Sequence, residues 1–290
     1  MTDNWDSYLC EVDGKPASIL VDLGAVAHAP MPGFPCLGYV TIALQTPDEN
    51  GFPRREEFSV LSELEDALES ALAADAVAVH IGRCITDGRY ELVFYTVGAN
   101  DWRNRVAPIM DSFPSHQWEA GAHYEPGWDT YLGFLFPGEQ DLLVIQNRRL
   151  CRQLQERGDT LQKARPINHW LDFLDPEAGK AFCRAAQSLG FRVDEANTVV
   201  EPLDLTARHP DMPDHLSDDP SDNPTSPVPG SGPGLARLSL GGSETRPPVF
   251  QVRVSRSDAP EHIDEISFTL LDLAVEHGGE YLGWSCPIEL

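Results

Sequence analysis

Ala76–Val97 reads AVAVHIGRCITDGRYELVFYTV, and this stretch decides the fold. Ala76–Gly82 alternates and predicts a strand with Val77, Val79 and Ile81 on one face. Asp87-Gly88 is a tight hairpin signal, because both positions must accept φ > 0. Arg89–Val97 is then the partner strand. Working outward, Gly38–Leu44 (GYVTIAL) predicts a strand before the hairpin, and Leu61, Leu64, Leu68 and Leu72 recur at helical spacing between them. After the hairpin, Trp102, Val106, Ile109 and Phe113 repeat the helical period, and Trp118–Tyr124 predicts another strand. The order is β-α-β-β-α-β, the split arrangement of a ferredoxin-like sandwich. Two earlier strands near Ser7–Glu11 and Ser18–Asp22 are expected to extend that sheet.

The same order recurs further on. A helix near Glu139–Glu156 precedes a strand at Pro166–Leu174 (PINHWLDFL). Asp175-Pro176 is an N-cap followed by proline at the first helical position, and Gly190 is a stop signal. The helix between them is expected to bury Phe182, Ala185 and Leu189. Phe191–Glu195 and the alternating Phe250, Val252 and Val254 predict two strands. Asp258 and Glu261 fit a capping box, Ile263, Ile266, Leu270 and Leu273 form an apolar stripe, and Tyr281–Ile288 is the last strand. Between the middle strands lies 201–248, with ten prolines and no aromatic residue. Such a segment cannot bury enough apolar area to offset its ordering entropy, so it reads as a long disordered Pro-rich insertion. The expected fold class is α+β, two tandem ferredoxin-like (βαββαβ) sandwiches over 1–137 and 138–290.

The chain has 290 residues, 41% hydrophobic and 23% charged, with 21 Lys plus Arg against 46 Asp plus Glu. A net charge of −25 argues against direct binding to a phosphate backbone or an anionic membrane, and favours basic partners. No run of about 18 apolar residues predicts a transmembrane helix, and Met1–Asp6 lacks the pattern of a signal peptide. The six cysteines contain no C-x-x-C pair and read as reduced thiols, which implies a cytoplasmic protein.

No H-E-x-x-H, phosphate loop or G-x-S-x-G is present, so no catalytic residue, metal or cofactor is assigned. His209, Asp211, Asp214, His215, Asp218 and Asp219 are metal-compatible in type but sit in the Pro-rich segment and read as a solvated loop. His169, in an alternating strand, reads as a hydrogen-bonded core histidine. Two acidic helix faces stand out: Glu63, Glu65, Asp66 and Glu69, and then Asp258, Glu261, Asp264, Glu265, Asp272 and Glu276. Both solubility and partner binding account for them. Arg83, Tyr95, His123 and Tyr124, with Glu125 and Asp129 nearby, are candidates for a ligand pocket at the end of the first sheet. A structural adaptor with an unrelated partner is a third possibility.

His169-Trp170-Leu171-x-Phe173, Leu189-Gly190-Phe191-x-Val193 and Gly278-Gly279-Glu280-Tyr281-Leu282-Gly283-Trp284 carry a resemblance over about 140–290. This half resembles the regulator of ribonuclease E activity B family, with Leu282 where that family's pattern carries Asp. The resemblance implies a non-catalytic protein that binds a ribonuclease of the ribonuclease E type and inhibits RNA processing. Under it, Asp264, Glu265, Asp272 and Glu276 are candidate partner-binding residues. Tyr281 and Trp284 are aromatic anchors if exposed and core residues if buried. Residues 1–137 are similar to the bacterial domain of unknown function family 695. That resemblance rests on Trp5-Asp6-x-Tyr8, Gly82-Arg83-x3-Asp87-Gly88-Arg89-x-Glu91-x3-Tyr95 and Trp128-x2-Tyr131-x2-Phe134-Leu135-Phe136-Pro137.

Overall fold

The computed structural model describes residues 2–74, 76–199 and 249–289. The Pro-rich insertion and its His/Asp run lie outside the described residues. The chain forms two compact units, Met1–Asp141 and Leu142–Leu290. Both are mixed α+β, and each is built on an antiparallel sheet.

The first unit contains β1 (Trp5–Val12), β2 (Lys15–Asp22), β3 (Cys36–Ala43), α1 (Arg55–Ala74), β4 (Ala78–Thr86), β5 (Arg89–Thr96), α2 (Trp102–Met110) and β6 (Trp118–Tyr124). The six strands lie in the order β1-β2-β4-β5-β3-β6. Asp87 and Gly88 close the β4–β5 hairpin at φ 50° and 74°, the backbone that a two-residue hairpin demands. Leu61, Leu64, Leu68 and Leu72 of α1 join Trp102, Val106 and Met110 of α2 over Val40, Ile42, Tyr90, Leu92 and Phe94, so both helices cover one face. Trp102 approaches so closely that a side chain on Gly38 would meet its ring at 2.8 Å.

One expectation is corrected in β4. Val77 lies ahead of β4 and packs against the helix-side core, whereas Val79 pairs with Tyr95 on the other face, and the pairing with β5 then passes from His80↔Phe94 to Gly82↔Val93 and leaves Ile81 as an extra residue. The bulge resets the alternation, so His80 and Arg83 both reach the α1 side.

The second unit contains α3 (Glu139–Glu156, whose first turn spans the unit boundary), β7 (Arg165–Phe173), α4 (Pro176–Ser188), β8 (Arg192–Val199), β9 (Val249–Asp258), α5 (Ile263–Glu276) and β10 (Gly279–Ser285). Its strands lie in the order β10-β7-β9-β8. Phe182 and Ala186 of α4 and Ile266, Leu270 and Ala274 of α5 pack on Leu171, Phe173, Val252, Val254 and Tyr281. The Asp175 side chain accepts from Glu177 N at 3.0 Å, with Pro176 opening α4.

Two further expectations fail locally. Helix α4 buries Gly179, Phe182 and Ala186, whereas Ala185 is half-buried and Leu189 is 43% exposed. Leu189 lies beyond the last helical turn, where Gly190 turns the chain away at φ 85°. Asp258 and Glu261 form no capping box, since β9 runs to Asp258 and a 3₁₀ turn at Pro260–His262 precedes α5. Asp258 instead accepts from Arg256 Nε at 2.7 Å.

Gly179 makes a stringent test of this packing. Alanine in an exposed helix gains about 1 kcal/mol over glycine, but a Cβ at 179 would run into the Phe250 ring, which Phe173 backs. Gly179→Ala is expected to destabilise the protein by roughly 1–3 kcal/mol in urea unfolding. Unchanged or raised stability would refute the contact.

Candidate functional site

The expected pocket residues separate. Arg83 turns toward α1, where its guanidinium pairs with Glu65 and donates to the Tyr90 hydroxyl at 2.9 Å. Tyr90 also donates to Glu65. Glu65, placed at first on the exposed acidic face, is 7% exposed and lies inside the apolar stripe of α1. Desolvation of its carboxylate is offset by the Arg83 and Tyr90 hydrogen bonds. His80 extends the cluster, its ring nitrogens 3.8 Å from Glu65 and 3.6 Å from Glu69. The neighbouring His80 imidazole holds the Glu69 carboxyl below its ordinary range, against burial.

Tyr95 lies on the opposite face of β5, since Tyr90, Leu92 and Phe94 face the helices. Its ring stacks on Trp128 at 3.9 Å and 5°, and its hydroxyl donates to Glu125. Thr130 N and Oγ1 also donate to Glu125, each at 2.9 Å, and His123 Nε2 lies 3.4 Å away. Burial raises the Glu125 carboxyl, but these hydrogen bonds outweigh it and hold the group below its ordinary range. Tyr95 and His123 therefore meet at Glu125. Tyr124 is 71% exposed, and Arg83 is on the other side of the sheet.

The aromatic motif that follows is structural. Trp128 Nε1 donates to Phe34 O at 2.9 Å, Tyr131 Oη to Asp22 O at 2.8 Å, and Tyr8 Oη to Leu135 O at 3.1 Å. These bonds fasten the segment after β6, with its short π-helical turn at Tyr131–Leu135, to the face of the sheet opposite α1 and α2.

In the second unit Tyr281 and Trp284 are 1% and 8% exposed, so both pack in the core and neither offers an anchor to a partner. Tyr281 Oη lies 2.8 Å from His169 Nδ1. Trp284 Nε1 donates to Asn147 Oδ1 at 2.8 Å, and Asn147 Nδ2 donates to Asp264 and Ser267, both at 2.8 Å. Asp264 is thus committed to a contact between α3 and α5. Glu265, Asp272 and Glu276 lie exposed on the outer side of α5. Spacings of seven and four place them along one stripe.

Sequence reasoning missed Asn147 and the buried pair Asp159–Arg165. Arg165 Nη2 donates to Asp159 Oδ2 at 2.6 Å, and that carboxylate also accepts from Leu161 N at 2.7 Å and Glu289 N at 3.0 Å. No periodicity marks either position. Their partners lie far off in the chain or in an irregular loop.

His169 carries a pH dependence. Burial, with the Arg256 charge nearby, lowers its imidazole from 6.5 to about 3. The folded ring stays neutral while the unfolded ring takes up a proton, so stability is full above about 6.5 and falls as pH drops toward 3. The slope in that window is at most about 1.4 kcal/mol per pH unit. His169→Gln is expected to flatten the fall of the unfolding midpoint between neutral and mildly acid pH. Equal slopes in both proteins would refute this.

Comparison with known proteins bears on both units. The family model described as Family of unknown function (DUF695) matches residues 3–136. The model described as Regulator of ribonuclease activity B matches residues 144–215. The Gly278–Trp284 motif, which carried part of the resemblance, lies beyond that match. No curated protein matches the chain. A solved structure described as an unknown protein from Galdieria sulphuraria is 11% identical, covers 87% of this chain and 98% of its own, and superposes with a TM-score of 0.22. The chain therefore joins, in N-to-C order, a segment matching the unknown-function family DUF695 and a segment matching the regulator of ribonuclease activity B family.

Proposed function

We propose that this protein is a non-catalytic regulator that binds a ribonuclease of the ribonuclease E type and slows RNA processing. The match of residues 144–215 to the regulator of ribonuclease activity B family carries this reading. The second unit is the binding part, and the exposed carboxylates Glu265, Asp272 and Glu276 on α5 meet a basic segment of the partner. A net charge of −25 supports that polarity, because it steers basic surfaces in and turns RNA away. The mechanism is occlusion: the acidic face covers a basic region that the ribonuclease needs for RNA or for its other partners. The protein acts in the cytoplasm.

Each unit is read as a ferredoxin-like sandwich. The strand order β10-β7-β9-β8, with α4 and α5 as crossovers, supports this for the second unit. The inner order β4-β5-β3-β6, with α1 and α2 as crossovers, supports it for the first, where the β1–β2 hairpin is an addition.

Binding of the full chain to purified ribonuclease E is expected to weaken as salt rises, and to slow cleavage of a structured RNA. The triple variant Glu265→Lys, Asp272→Lys and Glu276→Lys is expected to weaken binding by about tenfold or more. No binding of the unmodified protein at micromolar concentrations would overturn the proposal. Undiminished binding by the triple variant would overturn the assignment to α5.

A further inference from the structure

Strand β6 stands at one end of the six-stranded order, and β3 is its partner among the described residues. Ala43 N donates to Gln117 O and Glu125 N donates to Pro35 O, so the odd-numbered residues turn their backbone toward β3. Trp118, Ala120, Ala122 and Tyr124 consequently turn their N–H and C=O groups outward. Natural edge strands are usually protected by proline, lysine or a bulge. Strand β6 has neither residue, and its register with β3 is unbroken.

The sequence of this edge is self-complementary. Trp118-Glu119-Ala120-Gly121-Ala122-His123-Tyr124 reads, from either end, aromatic, polar, alanine, then glycine at the centre. We propose that β6 pairs antiparallel with β6 of a second copy of this chain, about a two-fold axis at Gly121. Trp118 then faces Tyr124 of the second copy, Ala120 faces Ala122, and Glu119 faces His123. The outward-facing residues fall in hydrogen-bonded pairs, each exchanging two backbone bonds. Glu119 and His123 fall in the non-hydrogen-bonded pairs, where side chains approach most closely, and their carboxylate and imidazole are complementary. Both are exposed, as is Tyr124, which gains an aromatic neighbour. Two-fold closure favours a second copy over an unrelated strand, since an isologous interface requires one segment to complement itself. The two sheets become one, with their helix-covered faces on the same side. This inference does not depend on the ribonuclease reading.

The test is hydrogen exchange on the full chain across a concentration series, with mass determined by light scattering. The amides of Ala120, Ala122 and Tyr124 are expected to become protected as the dimer forms. Those of Glu119 and His123, which face β3, are protected throughout. Ala120→Pro removes an outward donor and spares the β3 ladder, and is expected to weaken dimerisation by about tenfold or more. Glu119→Lys weakens it too, and the double variant Glu119→Lys with His123→Glu restores it. A monomer at every concentration would overturn the proposal. So would a dimer whose Ala120 and Ala122 amides still exchange as in the monomer, or a charge swap that fails to restore pairing. If Ala120→Pro does not fold, exchange in the unmodified protein decides alone.

Discussion

Three of the buried indoles, those of Trp102, Trp128 and Trp284, each hand an N–H to a fixed acceptor, and the positions of those acceptors set how the layers sit. Trp102 donates to Tyr39 O at 3.0 Å and seats α2 across β3. Trp128 donates to Phe34 O and seats the segment after β6 on the opposite face. Trp284 donates to Asn147 and seats α3 against β10 and α5. An indole N–H left without an acceptor in the interior costs about 1–3 kcal/mol, so each ring admits one placement where burial alone would admit several. The leucine stripes supply most of the apolar area, while the indoles select the geometry.

Charge is used in two ways. Most of the acidic side chains among the described residues are solvated, but Asp22, Glu57, Glu65, Asp159 and Asp172 are buried. Glu57 accepts from Gln45 N at 2.7 Å, with His116 at 3.3 Å. Asp159 ties its own loop to Arg165 and to the backbone at Glu289. Glu57 and Asp159 act as fixed acceptors for irregular backbone, much as a capping residue does for a helix end. A count of formal charges therefore overstates the field available to a partner. The outer stripe of α5 carries more of it than the α1 face, where Glu65 is internal.

Strand and helix order was legible because it rests on local signals: the Asp87-Gly88 turn, the Asp175-Pro176 cap, and apolar residues repeating at two or near three and a half. What was not legible depends on offsets and distant partners. The two-residue turn pairs Arg83 with Leu92, on the face opposite Tyr95, and the extra residue at Ile81 then brings His80 to the same face as Arg83, which simple alternation would not do. On α4 the stripe is Gly179, Phe182 and Ala186, since a glycine facing Phe250 does not register as apolar in a periodicity. For Tyr281 and Trp284 the chain left core and surface open. The decision lies with His169 and Asn147, far away in sequence.

Trp128 combines demands that rarely coincide. Its backbone is left-handed, at φ 57°, a region that favours glycine and asparagine. Its side chain must also be flat enough to stack on Tyr95 and must carry a donor for Phe34 O. Glycine would relax the backbone and lose the ring. Phenylalanine would keep the stack and orphan the carbonyl, and histidine would cover too little of Tyr95. No single replacement meets all three conditions, so position 128 is a bottleneck for sequence drift. Lineages that cross it must rebuild the floor of the sheet as well.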